Sequence, residues 1–221
     1  MTSLHLHTEI RDGHVTVTVI GELDTSTAAS FAAFVDGVPV RPNVIDARYV
    51  SFVDAAGLRV LLAERSRRDC ALRSSAVIDR LLAAAGIDVP PSDDSFGPPR
   101  LDDADFAVAI HDTDLRFQYI NPLLARINGM PVKRHVGRLL HEVFDVEADD
   151  FTDVLRDVLD RHASAEVTVA GATATGAPGC WTCNCYPVRW MLRDEHVRQV
   201  VVVVEPTAPT GTALSVTALF T

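Results

Sequence analysis

Val15, Val17 and Val19 alternate with threonines in HVTVTVIGELD, and Leu4 and Leu6 alternate upstream of an Arg-Asp-Gly turn. This period of two predicts a pair of strands joined by that turn, each with one buried face. Asp24 or Thr25 can cap the amphipathic helix that follows, through about Asp36. NVIDA, from Asn43, reads as a short buried strand. Asp54 opens a second helix in which Leu58, Val60, Leu61 and Leu62 pack densely, and the charged run ERSRRD ends it. CALRS predicts another short strand and AVIDRLLAAAGI a third helix. Two strands followed by alternating helix and strand imply α/β organisation, a small mixed sheet with helices packed on it.

The apolar periodicity stops at Val89 to Arg100 (VPPSDDSFGPPR), where four prolines, a glycine and two adjacent aspartates intervene. Proline fixes φ and removes a donor, so this stretch reads as an extended, stiff interdomain linker. Beyond it, ADFAVAIHDTDLRFQYINP contains two alternating runs around a turn at His111 to Asp114, a β-hairpin signal. Short helical runs follow at Pro122 to Ile127 and Arg138 to Phe144, then a three- and four-residue apolar repeat in FTDVLRDVLDRH. The strands AEVTVAG, CWTCNCYPVRWML and HVRQVVVVVEP close the segment. That order predicts an α+β domain, a five-stranded antiparallel sheet with helices on one face. The resulting division is 1–88, a linker at 89–103, a second domain at 104–206 and a tail at 207–221. The tail ends in ALSVTALFT, apolar enough to add a short strand or bind a partner.

Composition narrows the function classes. Of 221 residues 48% are apolar, enough for a core in each of two domains without staples. The formal net charge is -10, with nine Lys/Arg against eleven Asp/Glu in residues 1–92 and eleven against nineteen in 93–221. Neither half has the basic face that nucleic-acid binding draws on, so protein partners or small ligands are expected. The N-terminus lacks a basic start with a long apolar run, and the run Val200 to Val204 is far too short to cross a bilayer. Three of the four cysteines, Cys180, Cys183 and Cys185, crowd into six residues, with Cys70 apart. That is not the spacing of a secreted disulfide framework, and a reducing, cytoplasmic setting is expected.

GELD (Gly21 to Asp24) and VIDARYVSFVDAAGLRVLL (Val44 to Leu62) give residues 4–88 a close resemblance to the STAS family, the domain of anti-sigma-factor antagonists. RLLAAAGID resembles that family's last helix. The resemblance implies a docking domain whose strand-to-helix turn, of the form Asp-Ser-Ser-Gly, carries a serine phosphorylated by an anti-sigma kinase. Here the turn reads Asp54-Ala55-Ala56-Gly57, and Ala56 stands where the phosphoacceptor is expected. Alanine has no hydroxyl to modify, so the usual charge switch is unavailable there. The implied partner surface comprises Asp24, Ser51, Asp54, Ala55, Ala56 and Gly57, and the implied partners are an anti-sigma kinase or STAS-related regulators. A turn that merely packs two elements, with Asp54 as an ordinary cap, is the alternative. Ser51, Thr25, Ser26 and Thr27 are substitute acceptor candidates, although such residues are more often caps and solvated hydroxyls.

From Ala104 to Glu205, IHDTDLRFQYINPLLARINGMP, VGRLLHEVF and CWTCNCYPVRW resemble the PAS family, of the ligand-sensing type common in bacterial regulators. Asp112, Asn121 and Gly137 match its recurrent structural positions. The resemblance implies a half-open basket between sheet and helices and a capacity to dimerise. Candidate lining residues are Phe106, Val108, Phe117, Tyr119, Leu124 and Ile127, with Met130, Leu140 and Phe144 from the helical region and Trp181 and Cys183 from the later strands. A small apolar or amphipathic ligand could enter such a basket, or side chains could fill it.

Other chemistry is set aside. On a strand, Cys183 and Cys185 point to one face and Cys180 to the other, and no fourth ligand stands at zinc spacing. Buried thiols acting as small hydrophobes are the default. The helices NPLLAR and GRLLHEVF lack the cysteine that flavin photochemistry uses, and His141 is the best placed histidine for a haem and His135 the next, although a lone helix histidine is more often a surface or core residue. No cofactor is therefore expected. No phosphate loop, HExxH, GxSxG or nucleophile-base pair occurs, and the pairs Asp93-Asp94, Asp102-Asp103 and Asp149-Asp150 fall in loops, so catalysis is not expected.

Overall fold

The computed structural model describes residues 3–89, 100–144, 148–172, 178–192, 195–207 and 219–220. Its contacts divide the chain into two units: residues 1–101 with 188–197, and 102–187 with 198–221. The proline-rich linker lies almost wholly outside the described residues, as does the tail from 208 to 218.

The first unit runs β1 (Leu4–Arg11), β2 (His14–Leu23), α1 (Ala28–Gly37), β3 (Val44–Val53), α2 (Ala55–Arg68), β4 (Ala71–Ser74) and α3 (Ala76–Ala84). Its sheet has the order β1-β2-β3-β4. β1 and β2 are antiparallel through a two-residue turn, Asp12-Gly13, with φ of 49° and 78°. Such a turn matches the right-handed twist of the strands it joins. β2, β3 and β4 are parallel, each pair separated by a helix. Val17, Val19 and Leu23 of β2 and Ile45, Ala47 and Val50 of β3 form one buried cluster with Phe31 and Val35 of α1, Leu61 of α2, and Ile78 and Leu82 of α3. Patterning does not reveal Asp46, which is fully buried and accepts from Arg48 Nε at 2.9 Å, Arg48 Nη2 at 2.7 Å and Arg73 Nη1 at 3.3 Å.

The second unit contains β5 (Ala107–His111), β6 (Phe117–Ile120), α4 (Pro122–Ile127), a 3-10 turn at Val132–Arg134, α5 (Leu140–Val143), α6 (Ala148–Arg161), β7 (Ala165–Ala172), β8 (Pro178–Leu192), β9 (Glu195–Pro206) and β10 (Leu219–Phe220). The hairpin tip of β8 and β9 groups with the first unit. The expected antiparallel five-stranded sheet is present, with β10 added at the β7 edge, in the order β10-β7-β8-β9-β5-β6. Val200 to Val203 are all essentially buried, which explains the unbroken valine run: a strand covered on both faces needs no alternation. Val200, Val202 and Val204 face one cluster with Ala107 and Ala109 of β5, Leu124 of α4, Leu140 of α5, and Leu155 and Val158 of α6. Among the described residues, no helix is long and apolar enough to cross a membrane.

Candidate functional site

Two places gather the residues that the sequence singles out. In the first unit the end of β2 meets the start of α2. Asp54 caps α2, its Oδ1 accepting from Gly57 N at 2.8 Å, and its Oδ2 accepts from Thr25 N at 3.0 Å and Thr25 Oγ1 at 2.8 Å. One carboxylate thus ties the α2 turn to the loop after β2. The Gly57 amide, then the Thr25 hydroxyl, hold the Asp54 carboxyl below its ordinary value of 3.8. Asp24 does not cap α1 as its position suggests. Its Oδ1 accepts from Ser26 N at 2.8 Å and Thr27 N at 3.0 Å in a local turn, so α1 starts later, with Thr27 as N-cap. Burial opposes ionisation of Asp24, but these amides and the Ser26 and Thr27 hydroxyls outweigh it and lower the carboxyl.

The hydroxyls weighed as substitute acceptors are engaged locally. Ser51 Oγ donates to Gly21 O at 3.2 Å, Thr25 Oγ1 to Asp54, Ser26 Oγ to Asp24 Oδ1 at 2.7 Å, and Thr27 Oγ1 to Glu22 O at 2.9 Å. Ala55 is exposed and Ala56 half-exposed on the first turn of α2. Beside them Phe52, which the sequence reasoning missed, is 47% exposed while Val50 and Val53 on the same strand are buried. Phe52, Ala55 and Ala56 thus expose apolar groups within five positions of one another, on either side of Asp54.

Asp54 gives this turn a testable acid response. Because its folded-state pKa lies below the unfolded value, its stabilisation is full above about pH 4 and is lost as pH falls through the folded value. The urea midpoint of Asp54→Ala is expected to fall below wild type at pH 7, with the difference shrinking as the pH drops under 4. A difference independent of pH would contradict the assignment.

In the second unit the apolar cluster lies between the sheet and α4, α5 and α6. It takes in Phe117, Leu124, Leu140 and Cys183, with Ile127, Phe144 and Trp181 packed against it. The other expected lining residues lie elsewhere. Val108 is buried on the opposite face of β5, because the alternation that brings Ala107 and Ala109 inward turns it away. Phe106 precedes β5 and lends its carbonyl to Asn121 Nδ2 at 2.8 Å. Tyr119 directs its hydroxyl to Asp102 Oδ1 at 2.8 Å, and Met130, half-buried, stands outside the cluster.

Framework contacts hold this region. Asp112 Oδ1 accepts from Asp114 N and Arg116 N, closing the β5-β6 turn. Asn121 caps α4 through Leu124 N at 3.0 Å. Gly137, with φ of 81°, exchanges backbone contacts with β6, its amide donating to Phe117 O at 2.8 Å.

Cys183 and Cys185 face the cluster, and burial pushes the Cys183 thiol up to about 12 and Cys185 well above its ordinary range. Neither is poised as a thiolate. Among the described residues no group of three His, Cys, Asp or Glu is placed to hold a metal ion. Neither histidine weighed for haem is positioned for it. His141 is exposed, and His135 spends Nδ1 on Pro131 O and Nε2 on Asn128 Nδ2, each at 3.2 Å. His111 is different. Its ring is fully buried 4.3 Å from that of Phe117, and burial lowers its pKa to about 4, so it is neutral.

Residues 101–208 match the family model described as PAS fold. Similar solved structures include VqmA bound to DPO, at 14% identity over 49% of this chain and 54% of that one, with a TM-score of 0.42. A domain of an HTR-like protein from Haloarcula marismortui has 15% identity over 47% of this chain and 98% of its own, with a TM-score of 0.37. The Rhodobacter sphaeroides LOV protein has 16% identity over 50% and 65%, with a TM-score of 0.41. The chain spans about half the length of the VqmA chain that it matches. No curated protein matches it. Residues 101–208 form a PAS domain.

Proposed function

We propose that the chain is a cytoplasmic, non-enzymatic signalling regulator: the PAS domain, as ligand sensor or homodimer, is the input, and the first unit is a STAS-like module that docks an anti-sigma kinase or a related regulator. The first unit's mixed sheet with helices packed on it supports this reading. The observation that supports the docking role is the exposure of Phe52 and Ala55, with half-exposed Ala56, around the turn where the resemblance places the partner. With Ala56 at the phosphoacceptor position, this unit docks without being switched off there, and its control comes from the PAS domain. Affinity capture with the full chain from its native host is expected to recover an ATPase-fold kinase or a STAS-related protein. Recovery of neither would overturn this reading.

A second reading, a PAS sensor that binds a small ligand while the first unit serves as scaffold, is favoured by the aromatic and aliphatic lining around His111.

A further inference from the structure

From Leu115 to His141 the chain carries Arg116, Arg126, Lys133, Arg134 and Arg138 and no Asp or Glu. The whole chain has a formal net charge of -10 and this stretch +5, so the rest carries -15. Arg126, Lys133, Arg134 and Arg138 are exposed, and so is Val136 between them, at 47%. Among the described residues no carboxylate lies within ion-pair distance of these four cations. Arg116 differs, because its Nη1 stands 3.5 Å from Glu142 Oε2.

The fold fixes the backbone that carries these charges. At one end Phe117 N donates to Arg138 O at 3.0 Å and Gly137 N to Phe117 O at 2.8 Å, which fastens the loop to β6. Arg116 Nη1 donates to Gly137 O at 2.9 Å, beside the start of Arg138. At the other end Gly129 N donates to Arg126 O at 3.0 Å and Met130 N to Ala125 O at 3.1 Å, closing the end of α4. The buried His135 ring ties the two ends together: Nδ1 meets Pro131 O and Nε2 meets Asn128 Nδ2, each at 3.2 Å, and its centroid lies 5.5 Å from that of Phe117. Arg126 complements the C-terminal end of α4. The side chains of Lys133, Arg134 and Arg138 make no hydrogen bond or ion pair among the described residues. Their charges stand on a backbone already held in place, so little ordering is needed when a partner binds.

We propose that the loop from Arg126 to Arg138 is a docking surface for an acidic segment of a partner protein, a short run of Asp and Glu. It is a second surface, on the PAS domain, and does not depend on docking at the Asp54 turn. Arginine guanidinium groups take carboxylates in paired hydrogen bonds, and Val136 offers an apolar contact between them. The charge balance selects the class of partner. A membrane or a nucleic-acid backbone is an extended negative surface, and it would also meet the -15 carried by the rest of the chain. A short acidic segment meets the loop alone.

Fluorescence anisotropy with a labelled oligoglutamate peptide tests this on the full chain, with oligoglutamine of the same length as the neutral probe. Oligoglutamate is expected to bind and oligoglutamine not, with the affinity falling as salt rises from about 50 to about 300 mM. Arg134→Glu/Arg138→Glu is expected to weaken binding on the order of tenfold or more. Arg11→Glu/Arg80→Glu, which changes the net charge equally at exposed sites of the first unit, is expected to keep most of it. In wild type the amide resonances of residues 126–138 are expected to shift with oligoglutamate, a readout that needs no variant to fold. Absence of oligoglutamate binding at low salt, shifts confined to other residues, or equal losses in the two double variants would overturn the proposal. So would tighter binding to phosphatidylserine vesicles or duplex DNA than to oligoglutamate, or self-association, seen by light scattering, that Arg134→Glu/Arg138→Glu abolishes.

Discussion

Gly57→Ala is expected to destabilise the first unit severely, although on helix propensity alone alanine would be the better residue by about 1 kcal/mol. Gly57 is buried on the first turn of α2, and a Cβ there would come within 1.8 Å of Leu23 O, 2.6 Å of Leu23 C and 3.2 Å of Asp24 N. All three are backbone atoms of the strand end that also accepts the Asp54 amide, so no side-chain rotation relieves the overlap. Overpacking a core generally costs about 1–3 kcal/mol and sometimes more, and a clash with fixed backbone belongs at the top of that range. Urea denaturation of the full chain is expected to show a loss of about 3 kcal/mol or more, or a first unit already unfolded without denaturant. Ala56→Gly, one residue away and half-exposed, is the control, expected to cost about 1 kcal/mol or less. A wild-type midpoint for Gly57→Ala would mean that α2 does not rest on β2 as described.

Asn121→Leu is expected to do comparable damage to the PAS domain. Asn121 is fully buried and touches three backbone groups: its Oδ1 accepts from Val108 N at 3.2 Å and Leu124 N at 3.0 Å, and its Nδ2 donates to Phe106 O at 2.8 Å. One side chain therefore caps α4 and fastens the start of β5 beside it. Leucine has the same branched skeleton and none of the polarity, so three backbone groups lose their partner. Each stranded group costs about 1–3 kcal/mol, and the expected total is about 3 kcal/mol or more. Asn121→Ser, whose shorter hydroxyl can still cap Leu124 N, should fall between leucine and wild type. The measurement is the thermal or urea midpoint of the full chain followed by tryptophan fluorescence, to which Trp181, packed against the PAS cluster, contributes. An unchanged midpoint would remove Asn121 from the framework.

Patterning made the framework legible wherever one face of an element is buried. The period of two in β2, the Asp12-Gly13 turn and the Asp54 cap all lie in the structure where the residues indicate. It failed where both faces are covered. In FAVAIH the larger residues Phe106 and Val108 look like the inward set, yet Ala107 and Ala109 face the apolar cluster. Hydrophobicity cannot choose a face when neither meets water. The same limit hid His111, which reads as the polar first residue of a turn at the end of β5. Asp46, a carboxylate between apolar neighbours, becomes intelligible only when the parallel pairing of β3 and β4 brings Arg73 beside it. Phe52 reads as one more apolar strand residue, and its exposure depends on where β3 ends and α2 begins.

Asp24, Asp54, Ala56 and Gly57 are singled out by the sequence because the STAS resemblance rests on the turn itself. The structure adds the tie between them, through Thr25 and Asp54. It also shows how a charge can be introduced there without harming the fold. Ala56 lies half-exposed in the first turn of α2, where an acidic side chain is favoured by the helix dipole. Ala56→Glu therefore places a negative charge where the STAS resemblance expects the phosphate.

Affinity capture from the native host with wild type and Ala56→Glu side by side tests the central claim most directly. The account predicts that wild type recovers an ATPase-fold anti-sigma kinase or a STAS-related regulator and that Ala56→Glu, equally folded, loses it. Recovery of no such partner by wild type, or equal recovery by both proteins, would contradict docking at this turn.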